Sequence, residues 1–254
     1  MNYKFANVTL LITHYNRSGS LERLLEAFDK LNCTFENIVV SDDGSAKIHT
    51  DRILSFKNKF NLQLVTTAKN GGLGNNLNKG QDAVKSLYTL YIQEDFIPQD
   101  IFPDKLKFAL ECMDQRRDLD MVRFYSYEKY PYLKTLSNGF SEMIFNPFSF
   151  GYKKFYYYSD HPHLRRSDFF NKFGRYKEAV KSDLTEYLMM MSFLRNKGKS
   201  LYFDEYKQLF EQANSEDEPS TVKRTEWKQK DGFLIKLVRD VFRYVKFNYN
   251  YFRP

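Results

Sequence analysis

Cysteine is scarce. The 254 residues hold two, Cys33 and Cys112, and neither stands in a spacing such as C-x-x-C, which argues against a structural zinc site. Two isolated thiols point to a reducing compartment rather than to a disulfide scaffold. Long apolar runs are missing as well, since no stretch reaches the roughly 18 residues of a membrane span. The first apolar run, residues 8–12, is too short for a secretory leader and follows a polar start. A cytoplasmic protein is therefore expected. No internal repeat is found, and the length is enough to bury a full core without disulfide help.

What is present is positive charge and aromatic surface. The net charge is +7, which suits a polyanionic partner: nucleic acid, anionic lipid or a nucleotide diphosphate. Aromatic residues make up 17 % of the chain and concentrate after residue 124. Such rings serve in cores and in carbohydrate subsites, and the core reading comes first.

The first half alternates strand and helix patterns. Apolar runs at 8–13, 38–40, 62–66 and 88–92 read as strands. Leu21, Leu24, Leu25, Phe28 and Leu31 fall at helical spacing after Ser18 and Ser20. Ile53, Leu54 and Phe60 mark a second helix, 70–74 a loop, and 76–87 a third helix. This alternation predicts βαβ units and a mainly parallel sheet. Beyond residue 124 the pattern weakens until a helix at 183–195, with Leu184, Leu188, Met191 and Leu194 on one side. Residues 214–220 read as a loop or linker. Residues 232–247 are amphipathic, with Leu237, Val238, Val241, Phe242 and Val245 on one face and Lys236, Arg239, Arg243 and Lys246 largely on the other.

Polar clusters stand where the strands end: Thr13-His14-Tyr15-Asn16-Arg17, Ser41-Asp42-Asp43-Gly44-Ser45 and Gln93-Glu94-Asp95. In open parallel sheets ligands bind outside those ends. Together with Asn70-x-Gly72 and Asn78-x-Gly80, these segments resemble the family 2 glycosyltransferases of the GT-A fold. The order and intervals agree over residues 8–96.

The resemblance implies a nucleotide-sugar donor bound by Thr13, Tyr15, Arg17, Asp42, Asp43, Asn70, Gly72, Asn78 and Glu94. Tyr15 would lie beneath the base, and Asp42, or Asp43, would accept from a base N–H. Both aspartates also suit a turn with a helix cap. Gln93-Glu94-Asp95 stands where the family carries Asp-x-Asp, and Asp95 is the expected ligand of Mn2+ or Mg2+. Gln93 replaces the first aspartate, and Leu77 stands where the family often has arginine. Thr185-Glu186-Tyr187 matches the acceptor-side motif, with Tyr187 in place of an aspartate. Glu186 is the first candidate for general base and Asp183 the second. Glu186 also suits a helix first turn. His161, His163, Arg165 and Arg166 are further candidates for a metal or phosphate contact, or ordinary structural residues.

The expected protein is thus an α/β GT-A domain over 1–212, with a nucleotide-binding half at 1–100 and an acceptor half at 101–212. A linker and amphipathic helix follow at 213–254. The expected reaction is inverting transfer from a UDP-sugar to a glycan or lipid-linked hydroxyl in surface polysaccharide assembly. The terminal helix either packs on the domain or touches the inner face of an anionic membrane. Nucleic acid is not an expected partner. The alternatives are a nucleotidyltransferase, a nucleic-acid-binding protein, and a degenerate transferase that binds nucleotide sugar without efficient turnover.

Overall fold

A computed structural model describes residues 1–213, 218 and 233–253. Strands β1 (Tyr3–His14), β2 (Cys33–Asp42), β3 (Leu62–Val65) and β4 (Tyr88–Gln93) lie parallel in the spatial order β3-β2-β1-β4. Helices α1 (Ser18–Lys30), α2 (Lys47–Phe60) and α3 (Gly72–Asp82) connect them. Leu10, Leu11 and Ile12 of β1 are all fully buried, as expected of a strand covered on both faces. Leu10 and Ile12 share a core with Leu21, Leu24 and Phe28 of α1, while Leu11 shares the opposite core with Leu77 of α3.

The second half is β5 (Phe96–Pro98), α4 (Phe102–Gln115), β6 (Met121–Arg123), β7 (Leu133–Ser137), β8 (Phe140–Met143), β9 (His163–Arg166), α5 (Phe169–Phe173), α6 (Ser182–Arg195), β10 (Ser200–Phe203), β11 (Phe210–Gln212) and α7 (Phe233–Phe252). It continues the same sheet to nine strands, β3-β2-β1-β4-β9-β6-β10-β8-β7, with β9 antiparallel to both neighbours. β5 and β11 form a separate antiparallel pair. The core reading of the aromatics after residue 124 holds for many of them, and others stand at a cleft. Phe155, Tyr157, Tyr158, Phe169 and Phe193 build the second core, while Tyr127, Tyr152 and Tyr156 line a cleft.

Three helices depart from their sequence patterns. α3 runs from Gly72 to Asp82, not over 76–87. Its glycines, which periodicity counts against a helix, are there for close packing. A Cβ on Gly74 would stand 2.2 Å from the Lys177 carbonyl oxygen; one on Gly80 would stand 2.7 Å from Leu11 Cδ1 and 2.8 Å from Ser41 Cβ. These glycines therefore admit protein, not ligand. In α6, Met191 and Leu194 are buried as expected, but Leu184 and Leu188 are exposed, and Met189, Met190 and Phe193 are buried as well. α7 extends to Phe252, and its apolar face is largely exposed. The expected loop at 214–220 lies outside the described residues apart from Glu218, as does Gly232.

Gly80→Ala sets a helix-propensity gain of about 1 kcal/mol against overpacking of about 1–3 kcal/mol. Because Ser41 Cβ is fixed by its strand, overpacking is expected to win. Urea denaturation should show net destabilisation; an unchanged or higher midpoint would mean that α3 is free to slide on the sheet.

Candidate active site

Strand register places the polar clusters side by side, with Thr13 beside Ser41 on one flank and Gln93 on the other, and His14 beside Asp42. Asp42 is fully buried and accepts at both oxygens. His14 Nδ1 lies at 2.8 Å and Ser45 Oγ at 2.5 Å from one; Thr66 Oγ1 lies at 2.8 Å and Ser45 N at 3.1 Å from the other. Burial alone would raise the pKa of this carboxyl. The hydrogen bonds from His14, Ser45 and Thr66 outweigh it and hold the group well below the usual carboxylate range. His14 Nε2 accepts the Arg17 backbone N–H at 3.1 Å, so its ring proton sits on Nδ1 and points at Asp42.

Asp43 turns the other way and accepts the N–H groups of Gly71 and Gly72, each at 2.9 Å. Burial raises its pKa. Asn70 Oδ1 also accepts from Gly72 N at 3.1 Å, and Gly72 has φ +81°, a conformation suited to glycine. Lys79 Nζ donates to the carbonyls of Asp42 and Val65. Thr13 is buried with its hydroxyl 3.0 Å from the Tyr91 hydroxyl, whereas Tyr15 is only half-buried.

Arg17 is buried at the start of α1. Its Nη1 lies 3.2 Å from Asp95 Oδ2 and 3.8 Å from Glu94 Oε1. Burial pushes Glu94 up to about 7. Gln212 Nε2 donates to Asp95 Oδ2 at 3.0 Å, and Gln212 Oε1 accepts from Tyr127 Oη at 3.2 Å. Among the described residues no three His, Cys, Asp or Glu side chains gather as a ready metal cage. Two adjacent hard carboxylates at a strand end still fit Mg2+ or Mn2+, which is commonly held by one or two carboxylates plus substrate phosphates.

Below this edge lies a cleft of about 470 Å³, lined by Arg123, Tyr127, Tyr156, His161, Asp183 and Glu186 among others. Glu186 Oε1 accepts the Asp160 backbone N–H at 3.3 Å, and the two side chains are hydrogen-bonded to each other. Burial and mutual repulsion push the Glu186 carboxyl well above its usual range, and burial raises Asp160. Two carboxyls this close share a proton. Arg123, which donates to the Tyr156 carbonyl and Ser159 Oγ at 2.7 Å each, lowers both. Asp183 is exposed at the cleft rim.

Several expected contacts are committed elsewhere. The Asn78 amide is tied to both the N–H and the carbonyl of Tyr176, each at 3.0 Å, and to Glu178 at 2.7 Å. It clamps residues 176–178 to α3 instead of facing a donor. Arg165 is enclosed by rings, with its guanidinium on Tyr176 Oη at 2.6 Å and Gln81 Oε1 at 2.7 Å. Arg166 caps the carbonyls of Leu119 and Met113. Neither arginine is offered to a diphosphate. His163 is fully buried, and burial lowers its pKa. Burial likewise holds His161 down to about 3, so it is a neutral wall of the cleft.

Asp160, Arg123, Gln212 and Glu218 belong to none of the sequence motifs. Glu218 accepts Gly19 N, Ser20 N and Ser20 Oγ at 2.6–2.8 Å, supplying to α1 the cap that its own sequence lacks. None of the four stands in a recognisable spacing with its partners, so no local pattern exposes them.

Parallel strands ending in polar clusters define an α/β protein whose ligand site lies at the carboxyl edge of the sheet. The family model described as Glycosyl transferase family 2 matches residues 9–177, and the chain belongs to that family. No curated protein sequence matches it. Among solved structures, S. aureus TarS 1-349 in complex with UDP-GlcNAc is similar with TM-score 0.62 and 17 % identity, over 86 % of this chain and 62 % of that one. Mannosyltransferase PcManGT from Pyrobaculum calidifontis, in complex with GDP-Man and Mn2+, is similar with TM-score 0.53 and 13 % identity, over 76 % of this chain and 53 % of that one. The chain thus spans between half and two thirds of these neighbours. The likeness is one of fold, and the fold is GT-A.

The carboxyl pair sets a pH dependence. A carboxyl whose folded pKa is raised contributes stability that is fully present below its unfolded value, about 4.3 for glutamate, and that is lost as pH rises through the folded value. Glu186→Gln removes this loss. The melting temperature of the variant should rise relative to wild type as pH increases from 5 to about 8. Parallel curves would show that Glu186 ionises as freely as a surface glutamate.

Proposed function

We propose that the chain transfers a sugar from a nucleotide sugar, in first place a UDP-sugar, to a hydroxyl of a glycan or lipid-linked acceptor, with inversion at the anomeric carbon. The role fits surface polysaccharide assembly. The observation that carries this reading is the Asp160–Glu186 pair at an aromatic cleft whose Tyr127 is joined through Gln212 to Asp95.

The donor base lies against Thr13 and Tyr15. Asp42 meets a base N–H when Thr66 turns its hydroxyl to the Thr67 carbonyl, already 3.4 Å away, and so frees one acceptor position. Asp43 serves indirectly by fixing the Asn70–Gly72 backbone. Arg17 is the built-in cation beside the diphosphate. Asp95, with Glu94, holds Mn2+ or Mg2+, which when bound stabilises the charge of the departing diphosphate. Glu186 takes the acceptor proton. As the acceptor oxygen bonds to the anomeric carbon, the bond from that carbon to the phosphate oxygen breaks, and the nucleoside diphosphate leaves. Because the pair shares one proton, one carboxylate position remains to receive the acceptor's. Asp183 at the rim positions the acceptor.

Calorimetric titration with UDP should show binding that strengthens with Mn2+ in the wild type and loses that increment in Asp95→Ala. Glu186→Gln should keep UDP binding and lose roughly 10²–10⁴-fold in turnover. Binding insensitive to Mn2+ would remove Asp95 from the metal role. UDP binding without turnover on any acceptor would favour the degenerate transferase, as Gln93, Leu77 and Tyr187 suggest. Absence of UDP binding would shift attention to other nucleotides.

A further inference from the structure

Helix α7 sits on the protein by the less apolar of its two sides. Phe247 anchors it, with ring centroids 5.7 Å from Phe155 and 5.1 Å from Tyr187. Arg195 donates to the carbonyls of Asn250 and Tyr251, and Asn250 donates to Tyr187 Oη at 2.6 Å. Arg243 turns inward to within 3.3 Å of Tyr152 Oη. Meanwhile Leu237, Val238, Val241, Phe242, Val245 and Tyr249 remain 52–69 % exposed. An ordinary amphipathic helix buries that stripe against its own domain; here it points away.

The exposed stripe continues beyond the helix. Phe148 and Phe150, on the segment after β8, are 82 % and 91 % exposed. Their rings lie 6.1 Å from Phe252 and 6.4 Å from Tyr244. One apolar surface therefore runs along α7 and onto this loop. Residues 233–253 carry five Lys and Arg against the single carboxylate of Asp240, and Lys236, Lys246 and Arg253 are exposed.

We propose that this surface docks on an anionic phospholipid bilayer, with α7 lying in the interface plane and Phe148 and Phe150 inserted. The charge chooses the occupant. A second copy in a two-fold contact would bring the same cationic segment against itself, whereas an anionic headgroup layer is complementary to it. No described helix is long and apolar enough to cross a membrane, so α7 lies along the surface rather than through it. Arg243 and Phe247 also line the cleft that holds Glu186, so docking sets the cleft beside the headgroups. There a lipid-linked saccharide reaches Glu186 while its lipid stays in the bilayer; this last step rests on the glycosyltransfer reading, and the docking does not.

The test is co-sedimentation of the full chain with vesicles of phosphatidylcholine, with and without phosphatidylglycerol. Binding should require the anionic lipid, weaken with salt, and fall about tenfold or more in Phe242→Glu and in Phe148→Ser combined with Phe150→Ser. These side chains are exposed, so the variants should keep the wild-type circular dichroism spectrum and UDP affinity. Equal binding to neutral vesicles, or variants that bind as well as wild type, would overturn the proposal. So would a lipid-free dimer in sedimentation velocity that Phe242→Glu dissolves, because a second copy would then be the occupant. Vesicle binding without binding of UDP or any other nucleoside diphosphate would keep the docking surface and remove the transfer reading; UDP binding without vesicle binding would do the reverse.

Discussion

The carboxyl edge of the sheet is organised around one buried carboxylate. An ionised Asp42 without partners would be prohibitively costly in the interior, so donors from several elements converge on it: His14 from β1, Ser45 from the turn before α2, and Thr66 just after β3. His14 carries the order onward by accepting the backbone N–H of Arg17, and Arg17 reaches Asp95 at the end of β4. Gln212 then joins Asp95 to Tyr127 in the cleft. A continuous polar chain thus runs from the second strand to the cleft, and each member fixes the position of the next.

The two acidic clusters are stabilised by opposite means. At the strand end, Arg17 supplies a permanent positive charge to Glu94 and Asp95. In the cleft, Arg123 is near, but Asp160 and Glu186 are drawn together so closely that sharing a proton is the main relief. The first arrangement suits a site that receives a diphosphate, with its excess of negative charge. The second suits a site that must accept a proton from a hydroxyl. Gln93 in place of an aspartate lessens the negative charge at the strand end, so that Arg17 has two carboxylates to balance there. Tyr187, in place of the family's aspartate, is occupied with Asn250 of α7. That links the lining of the cleft to the helix that contributes Arg243 and Phe247 to it.

The aromatic second half serves both parts. Rings pack tilted or stacked on one another through the core between α5, α6 and the sheet, as Phe169, Phe173 and Phe193 do. Rings at the margin of that core, Tyr152 and Tyr156, turn into the cleft, and those beyond it, Phe148 and Phe150, reach solvent. Core, cleft and outer apolar surface are therefore successive layers of one aromatic cluster, closed by Phe247.

The sequence by itself determined the parallel half of the fold, because apolar runs and helical spacing alternate within short windows where local periodicity is legible. It also placed the three polar clusters, since strand ends in such a sheet must face one edge. What it left open depends on neighbours distant in the chain. α3 keeps Gly74 and Gly80 because Lys177, Leu11 and Ser41 press on it. Asn78 clamps Tyr176, and Glu186 gains Asp160 as its partner, only once residues 78, 160, 176 and 186 are folded together. The outward turn of α7 was decided in the same way: amphipathicity fixes that two faces exist, but which one meets the protein depends on the ring and carbonyl contacts that Phe247 and Asn250 find there. Periodicity is a property of neighbours along the chain, whereas burial, shared protons and close approach are properties of neighbours in space.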